Sequence, residues 1–311
     1  MEPIKNKESY TDRFYNKEFE NFINTEEWNF LDFQILNKIE TGSTGVVLKA
    51  NHKLSKKTYA LKKICVYNSG YSYNTILKII ESEITIGKLN ISKYINPIYG
   101  WFKNNKTEDF NPMYEEYYII SKSCDSDLFN FRNNIPLNCT FKKILKIIKC
   151  MITAVADLHS AGYMHLDIKL ENFIIDYDTY DTYLIDFGFT QPFAEMDIFL
   201  GSLQYAAPEL KEYSTEINRF KRYKKNLSKW DYRVDYYSLG VSIYALLYNS
   251  FFNSEKYNIS LPQTFADFKE SEYSEYTDSL KSILTCLLQS NPEKRVSAAT
   301  LLKEQIFQNL E

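Results

Sequence analysis

Three polar residues that could act on one substrate lie within residues 164–175, namely Asp167, Lys169 and Asn172. An aspartate next to a hydroxyl nucleophile can accept or orient the hydroxyl proton. A lysine two residues later can neutralise phosphate charge, and an amide oxygen is a hard ligand that suits Mg²⁺. The stretch reads as a helix exit, a tight polar loop and a short apolar strand, so we expect these side chains to line one site.

The order of residues in this loop also resembles the catalytic loop of eukaryotic protein kinases, H-R-D-x-x-x-x-N, with Leu166 in place of the arginine. A second motif, Asp186-Phe187-Gly188, lies 14 positions after Asn172 (186 − 172) and follows an apolar strand pattern. It resembles the metal-binding motif of the same family. The resemblance implies that Asp186 holds Mg²⁺ (or Mn²⁺) on the β- and γ-phosphates of ATP and that Asn172 completes a second metal site.

A hairpin with glycines at its turn is predicted from residue 33 onward. The hairpin pattern consists of FQILNKIE, TGSTG and VVLKA, in that order. A further strand ends in Ala60-Leu61-Lys62. The pattern resembles the phosphate-covering loop and lysine strand of kinases, G-x-G-x-x-G-x-V, except that Glu40 replaces the first glycine. The resemblance implies nucleotide contacts from the turn and its flanking strands, which comprise Glu40, Thr41, Gly42, Ser43, Thr44, Gly45, Val47, Ala60 and Lys62.

A helix is predicted over residues 74–89, where isoleucines recur at helical spacing. Glu83 stands where kinases carry the helix glutamate that pairs with the strand lysine, here Lys62, and Glu81 is the alternative. Gly87, four residues after Glu83, replaces a position that is usually a packing hydrophobe. We expect this glycine to loosen the helix.

The run YYIISKSC reads as a strand that enters a hinge between two lobes, and residues 103–116 before it read as a polar insertion. The resemblance implies that backbone groups of Ser121 and Ser123 bind adenine. It also implies that Ile120, give or take one position, controls access to a rear pocket.

The second half of the chain carries further segments that resemble the substrate-binding part of kinases. Gly201-Ser202 and Ala207-Pro208-Glu209 resemble the segment that closes the substrate floor. Asp235 matches the helix aspartate that is tied to the catalytic-loop backbone. Arg295 matches the arginine that pairs with Glu209.

The resemblance covers residues 33–308 and implies an α+β fold, the bilobal protein kinase fold with a small β-rich N-lobe and a larger α-helical C-lobe. We predict an N-terminal extension at 1–32, a kinase N-lobe at 33–122 and a kinase C-lobe at 123–311. The extension is either packed on the following domain or partly disordered, or it serves as a docking segment. A buried helix over residues 141–160 is predicted to lead into the catalytic loop.

The composition is ordinary for a soluble globular protein, with 44% hydrophobic and 25% charged residues. A net charge of −3 gives no reason to expect nucleic acid or a membrane surface as the main partner. The five cysteines form no CxxC, which argues for a reducing compartment without structural zinc or disulfides. The first residues contain no apolar signal segment. We therefore expect a cytoplasmic protein, with nuclear entry left open.

Leu166 departs from the family pattern in a way that predicts regulation. Regulated kinases have an arginine there, which binds a phosphorylated activation loop through charge-assisted hydrogen bonds. Thr190, Ser202 and Tyr205 are the hydroxyl residues of residues 189–205. Ser202 is assigned to the substrate floor, and Thr190 lies too close to Gly188 for the usual phosphosite. We therefore predict activity without activation-loop phosphorylation.

The interval from Glu209 to Asp235 is 26 positions (235 − 209), which is longer than the family usually shows. Within it, residues 211–229 carry many cations. These residues are either a solvated loop or a surface that docks acidic segments of a protein substrate. The cations are Lys211, Arg219, Lys221, Arg222, Lys224, Lys225 and Lys229.

The resemblance predicts an ATP-dependent serine/threonine protein kinase, because Lys169 two residues after Asp167 is typical of that type. Asp167 would accept the substrate hydroxyl proton, and Lys169 would face the γ-phosphate. Lys62, held by Glu83, would orient the α- and β-phosphates. A pseudokinase scaffold and a small-molecule kinase are the alternatives. The A-P-E segment opposes the small-molecule kinase, since that segment builds a floor for peptides.

Overall fold

Packing divides the chain into two units. The first lies within Met1–Ile76 and Ile98–Ser123, and the second within Leu77–Pro97 and Cys124–Glu311. The predicted lobe boundary at residues 122 and 123 stays a prediction. The structure, a computed structural model, describes residues 28–42, 44–66, 71–105, 115–193, 201–211, 231–250, 252, 268, 270–308 and 310.

Five antiparallel strands form the sheet of the first unit, in the order β1-β2-β3-β5-β4. Their sequences are rich in β-branched and aromatic residues, which fit a pleated and half-buried surface. The bounds are β1 Phe33–Thr41, β2 Val46–His52, β3 Thr58–Cys65, β4 Ile98–Asn105 and β5 Glu115–Lys122. β4 and β5 therefore take up both ends of the polar insertion predicted over residues 103–116, and residues 106–114 lie outside the described part.

The register of this sheet decides which side chains share a face. Lys62 of β3 lies opposite Val47 of β2 and Ile119 of β5. Directly opposite residues in antiparallel strands lie on the same face, and neighbours along a strand alternate. The opposite face from Lys62 carries an aromatic and aliphatic core of Phe33, Ala50, Leu61, Phe102, Tyr118 and Ile120.

The second unit is mainly helical and contains two small antiparallel sheets, β6-β8-β9 and β10-β7. One helix, α1 (Tyr73–Lys88), matches the helix predicted over residues 74–89 and continues into this unit from the first. The other helices are α2 Leu128–Asn133, α3 Phe141–Ser160, α4 Arg233–Tyr248, α5 Glu270–Tyr273, α6 Thr277–Leu287, α7 Ala298–Leu301 and α8 Gln305–Gln308. The short strands are β6 Ser126–Asp127, β7 Tyr163–Met164, β8 Phe173–Ile175, β9 Thr182–Leu184 and β10 Gln191–Pro192.

Helices α3 and α4 carry the core of the second unit. The apolar positions that predicted α3 are all buried, and they recur every three or four residues along one side of the helix. α4 is buried along nearly its whole length, including Asp235 near its start. A charged residue in such a place requires polar partners. Within the described part of the chain, no helix is long and apolar enough to cross a membrane.

Candidate active site

The loop from His165 to Asn172 connects β7 to β8, and α4 holds its backbone. The Asp235 carboxylate accepts hydrogen bonds from the backbone N–H of His165 at 2.6 Å and of Leu166 at 2.9 Å. Leu166 adopts a positive φ of 68°, which is uncommon for a residue with a side chain and persists only where the surroundings enforce it. The predicted tie between Asp235 and the catalytic-loop backbone is therefore present.

His159, at the end of α3, is a third partner of this carboxylate. Its Nε2 atom lies 2.9 Å from Asp235 Oδ2, and both side chains are buried. Burial alone would raise the pKa of Asp235, but the hydrogen bond and charge of His159, with those of His165, bring that pKa below its ordinary value. No local pattern in the sequence indicates this contact, because the two residues lie 76 positions apart.

The carboxylate of Asp167 lies at the centre of the loop and accepts hydrogen bonds from three directions. Its Oδ1 atom accepts the backbone N–H of Ser202 at 2.7 Å. Its Oδ2 atom accepts Asn172 Nδ2 at 3.0 Å and forms an ion pair with Lys169 Nζ at 2.7 Å. Lys169 also donates to Ser202 Oγ at 3.1 Å. The structure thus brings Asp167, Lys169 and Asn172 together, with Ser202 as a fourth member.

The amide of Asn172 has a defined orientation. Its nitrogen donates to the carbonyl oxygen of Asp167 at 2.7 Å as well as to the Asp167 carboxylate, and both partners can only accept. The carbonyl oxygen Oδ1 of the amide therefore points away from Asp167. The backbone N–H of Ile185 donates to the backbone carbonyl oxygen of Asn172 at 3.0 Å. Asp186 follows Ile185 directly, so this hydrogen bond holds the backbone before Asp186 next to Asn172.

These two residues fit a hard divalent cation. An amide oxygen and a carboxylate are donor types that Mg²⁺ prefers, and Mg²⁺ bound with phosphates needs few protein ligands. Within the described residues no group of three His, Cys, Asp or Glu side chains could hold a metal by itself. One amide oxygen and one carboxylate therefore suit an ion that arrives with a nucleotide and completes its coordination with phosphate oxygens.

The segment beyond Ser202 is fixed from two sides. Tyr205 is buried, and its hydroxyl donates to Glu171 Oε2 at 3.1 Å, which ties it to the catalytic loop. Burial, with the nearby Glu171 charge, raises the pKa of Tyr205. The predicted pair of Glu209 and Arg295 is bidentate, with N–O distances of 2.6 and 2.8 Å. Such a pair gives a defined geometry as well as attraction.

In the first unit, the glycine turn is closed by a hydrogen bond from Gly42 N–H to the Gly45 carbonyl oxygen, 2.9 Å long. A Cβ atom at Gly45 would lie 2.2 Å from the Lys63 carbonyl oxygen, so only glycine allows this approach to β3. Glu40 and Thr41 belong to β1, Thr44 is buried in the turn, and Ser43 lies outside the described residues.

The register shows on which face of the sheet Ile120 lies, while its predicted role stays a prediction. Ala60, Lys62 and Val47 share one face of the sheet, as a common nucleotide site would require, but Ile120 belongs to the core on the other face. Ser121 lies opposite Ala60 and therefore shares the face of Lys62. Ile119, directly opposite Lys62, lies on this face as well. The two β5 residues on the face of Lys62 are thus the immediate neighbours of Ile120, within the margin that the sequence left open.

Ser121 and Ser123 differ in their backbone environment. Ser121 lies inside β5, with Ala60 opposite on one side and Ile98 on the other. Ser123 follows the end of that strand, and its buried hydroxyl oxygen finds no hydrogen-bond partner within the described residues. Because an inner strand uses its backbone groups in the ladder, Ser123 is the better placed of the two to offer them to a ligand.

Comparison with known proteins gives the family. The family model of the protein kinase domain matches residues 33–307 of this chain. The chain belongs to the protein kinase family. The bilobal α+β fold follows from this match and from a β-sheet first unit followed by a mainly helical second unit.

The chain has curated relatives at low identity. Serine/threonine-protein kinase ppk23 of Schizosaccharomyces pombe is 29% identical over 60% of this chain and 46% of its own length. Serine/threonine-protein kinase cst-1 of Caenorhabditis briggsae is 27% identical over 89% of this chain and 51% of its own length. The mouse interferon-induced, double-stranded RNA-activated protein kinase is 25% identical over 88% of this chain and 50% of its own length. The chain spans about half the length of these relatives.

Other predicted features of the kinase stay predictions. Glu83 is buried on α1 in the second unit, whereas Lys62 belongs to the first unit, so their pairing is untested. Residues 1–27 and 212–230 lie outside the described part of the chain. These two ranges include most of the predicted N-terminal extension and most of the basic insertion. Lys211 is the described member of that insertion, and it is half-buried.

Proposed function

We propose that the chain is an active serine/threonine protein kinase that transfers the γ-phosphoryl group of ATP to protein substrates. The observation that carries this proposal is the arrangement around Asp167, where a lysine, an amide and a backbone N–H converge on one buried carboxylate. A carboxylate held in this position can orient a substrate hydroxyl and accept its proton. The serine/threonine type is supported by Lys169, by Ser202 and by the names of the relatives.

Each residue then has a defined task. Asp167 orients the substrate hydroxyl and takes its proton, while Lys169 neutralises charge on the transferred group. Asn172 and Asp186 would hold the divalent cation, which would supply positive charge next to the phosphates. Lys62, positioned by Glu83, would orient the nucleotide phosphates, which the glycine turn would cover.

A nucleotide-binding pseudokinase scaffold is the competing function. Glu40 in place of the first glycine and Gly87 on α1 support it. The complete set of Lys62, Asp167, Asn172 and Asp186 favours catalysis instead.

The test is Mg²⁺-dependent transfer of labelled phosphate from ATP to the chain itself and to a generic basic protein. Asp186→Asn should bind ATP and transfer no label above background, because the amide loses the negative charge that would hold the cation. Transfer by the wild-type chain alone supports the proposal. ATP binding without transfer by the wild-type chain would favour the scaffold.

We also propose that activity needs no phosphate on the activation loop. Leu166 is buried in the core of the second unit, so this position supplies packing instead of a phosphate-binding cation. The three hydroxyl residues of residues 189–205 are buried or hydrogen-bonded. Thr190 is buried, Ser202 accepts a hydrogen bond from Lys169, and Tyr205 donates one to Glu171.

A double substitution tests this point. Thr190→Val with Tyr205→Phe leaves Ser202 as the remaining hydroxyl of residues 189–205. We expect kcat to fall by no more than about fivefold, the equivalent of one lost hydrogen bond of about 1 kcal/mol. A loss of about a hundredfold or more, which is over 2.7 kcal/mol, would show that a phosphorylated hydroxyl is required.

The basic insertion supports a proposal about substrates. Its cations would attract acidic segments of a protein partner, as complementary charges steer association. Reversal of charge at Arg219, Lys221 and Arg222 should lower kcat/KM for acidic substrates and leave neutral peptides unchanged. Equal effects on both substrate types, or no effect, would remove the idea.

A further inference from the structure

Ser82 of α1 makes a contact that the sequence did not indicate. Its hydroxyl lies 2.8 Å from the carbonyl oxygen of Phe187 and 2.9 Å from that of Thr190, and its one O–H proton is shared between these two acceptors. These carbonyls belong to the short 3-10 turn Phe187–Phe189 and the residue after it, directly beyond Asp186. Ser82 itself is directly before Glu83. One hydroxyl thus joins the two segments that carry Glu83 and Asp186.

Hydroxyl groups elsewhere in the helices of this chain behave differently. Several donate to the carbonyl four residues earlier in their own helix, at 2.7–3.2 Å, which is the usual local option for serine and threonine. These are Thr153, Ser160, Ser238, Ser242 and Thr285. Ser82 instead spans 105 and 108 residues of sequence to reach its acceptors.

A second, independent contact brings the same two segments together. A Cβ atom at Gly188 would lie 2.8 Å from Cγ2 of Ile79, so the turn packs directly against the helix. Ile79 and Ser82 are three residues apart and therefore lie on one face of α1. Asp186 has a left-handed backbone, with φ 63°, a conformation that must be enforced by its surroundings.

We propose that Ser82 is a positioning residue for phosphoryl transfer, because its hydroxyl fixes the turn after Asp186 against the helix that carries Glu83. This inference rests on the proposed function. Without the hydroxyl, the carbonyl oxygens of Phe187 and Thr190 lose their donor on α1, and the turn gains freedom to move. Since Asp186 would hold the cation, its displacement lowers kcat and leaves the binding of the peptide substrate unchanged.

The experiment compares Ser82→Ala with Ser82→Thr, which keeps a hydroxyl, and with the matched control Thr285→Ala. Thr285 donates to Lys281 within α6, on the exposed side of that helix. Ser82→Ala should lower kcat about tenfold, equivalent to about 1.4 kcal/mol, with an unchanged KM for peptide. Ser82→Thr should recover most of the rate, and Thr285→Ala should match the wild type.

Hydrogen exchange supplies a readout that is separate from activity. The backbone amides of residues 187–190 should exchange faster in Ser82→Ala than in the wild type and in Thr285→Ala. Wild-type kcat together with unchanged exchange in Ser82→Ala would overturn the inference while leaving the proposed function intact. A wild-type chain that transfers no phosphate would instead overturn the proposed function. If Ser82→Ala does not fold, Ser82→Cys, which has a similar size and a weak donor, takes its place in the same comparison.

Discussion

The catalytic loop and the glycine turn are both short connections between strands, but they are held in different ways. The loop is fixed by charged groups from other elements, with Asp235 on its backbone and three donors on Asp167. The turn is closed by one backbone hydrogen bond and by the close approach of Gly45 to β3.

This difference indicates where each region tolerates change. In the loop, a lost side chain leaves several buried partners without a hydrogen bond, and such losses are costly. In the turn, a substitution matters mainly where a new Cβ would meet the backbone. Each region has one departure from the family pattern, and the two departures agree with this difference. Leu166 in the loop is buried and packed, whereas Glu40 beside the turn is exposed.

The largest expected effect is that of Asp167→Ala. Removal of the proton acceptor should lower kcat by about 10²- to 10⁴-fold, since general base catalysis contributes about that much. Steady-state kinetics with ATP and a peptide measure it. Asp178→Ala, at an exposed aspartate before β9, is the control and should be unchanged. Equal rates for Asp167→Ala and the wild type would exclude the assigned role.

Asp235→Asn should give the next largest effect, on stability. The amide cannot accept from all three donors, so we expect the free energy of unfolding at pH 7 to fall by about 3 kcal/mol. Urea unfolding monitored by fluorescence measures it.

The same variant also gives a pH dependence. The pKa of Asp235 is lower in the folded chain than its ordinary value of 3.8, so its stabilisation is present above about pH 4 and is lost as the pH falls through the folded pKa. The difference between Asp235→Asn and the wild type should therefore shrink in acid. A difference that grows below pH 4 would contradict the assignment.

A matched pair of glycine substitutions tests the turn. Gly45→Ala would place Cβ 2.2 Å from a backbone oxygen and should cost about 1–3 kcal/mol of stability, with a higher KM for ATP. Gly42→Ala meets nothing closer than 3.9 Å and should change stability by less than about 0.5 kcal/mol. Thermal unfolding and ATP titration measure both variants. Similar results for the two variants would show that the whole turn is constrained, and not only the close contact between Gly45 and β3.

The smallest effect is expected for Glu40→Gln. This change removes an exposed negative charge next to the turn, and solvent and salt screen such charges. We expect the KM for ATP to fall by less than about fivefold, and by less at high salt. A change of tenfold or more would show that Glu40 acts directly on the nucleotide.

Local patterns predicted much of the fold. The helix over residues 141–160 has the predicted bounds, because seven aliphatic residues recur on its buried side. The short apolar strand predicted after the catalytic loop is β8, Phe173–Ile175. The insertion predicted over residues 103–116 was too long, since the strands continue into polar residues at both of its ends. Polar composition did not end these strands, because the backbone ladder does not depend on side-chain polarity.

The uncertain position and the omissions at the site have physical causes. Tyr117 to Ile120 are buried on both faces of β5, so no alternation in the sequence shows which face Ile120 takes. The contacts of His159 and Ser82 join residues 76 or more positions apart. Periodicity over a few turns carries no information about such pairs, whereas a motif such as the catalytic loop keeps its members within a few residues.

The most direct measurement is the kcat of wild-type chain that has been treated with phosphatase and shown by mass spectrometry to carry no phosphate. The first ATP turnovers are followed on a peptide, before autophosphorylation can accumulate. The account predicts the same kcat as for untreated protein, with no lag, since the loop and Asp167 are already held by unmodified groups. A treated chain that is inactive, or that regains activity only after a lag of autophosphorylation, would contradict it.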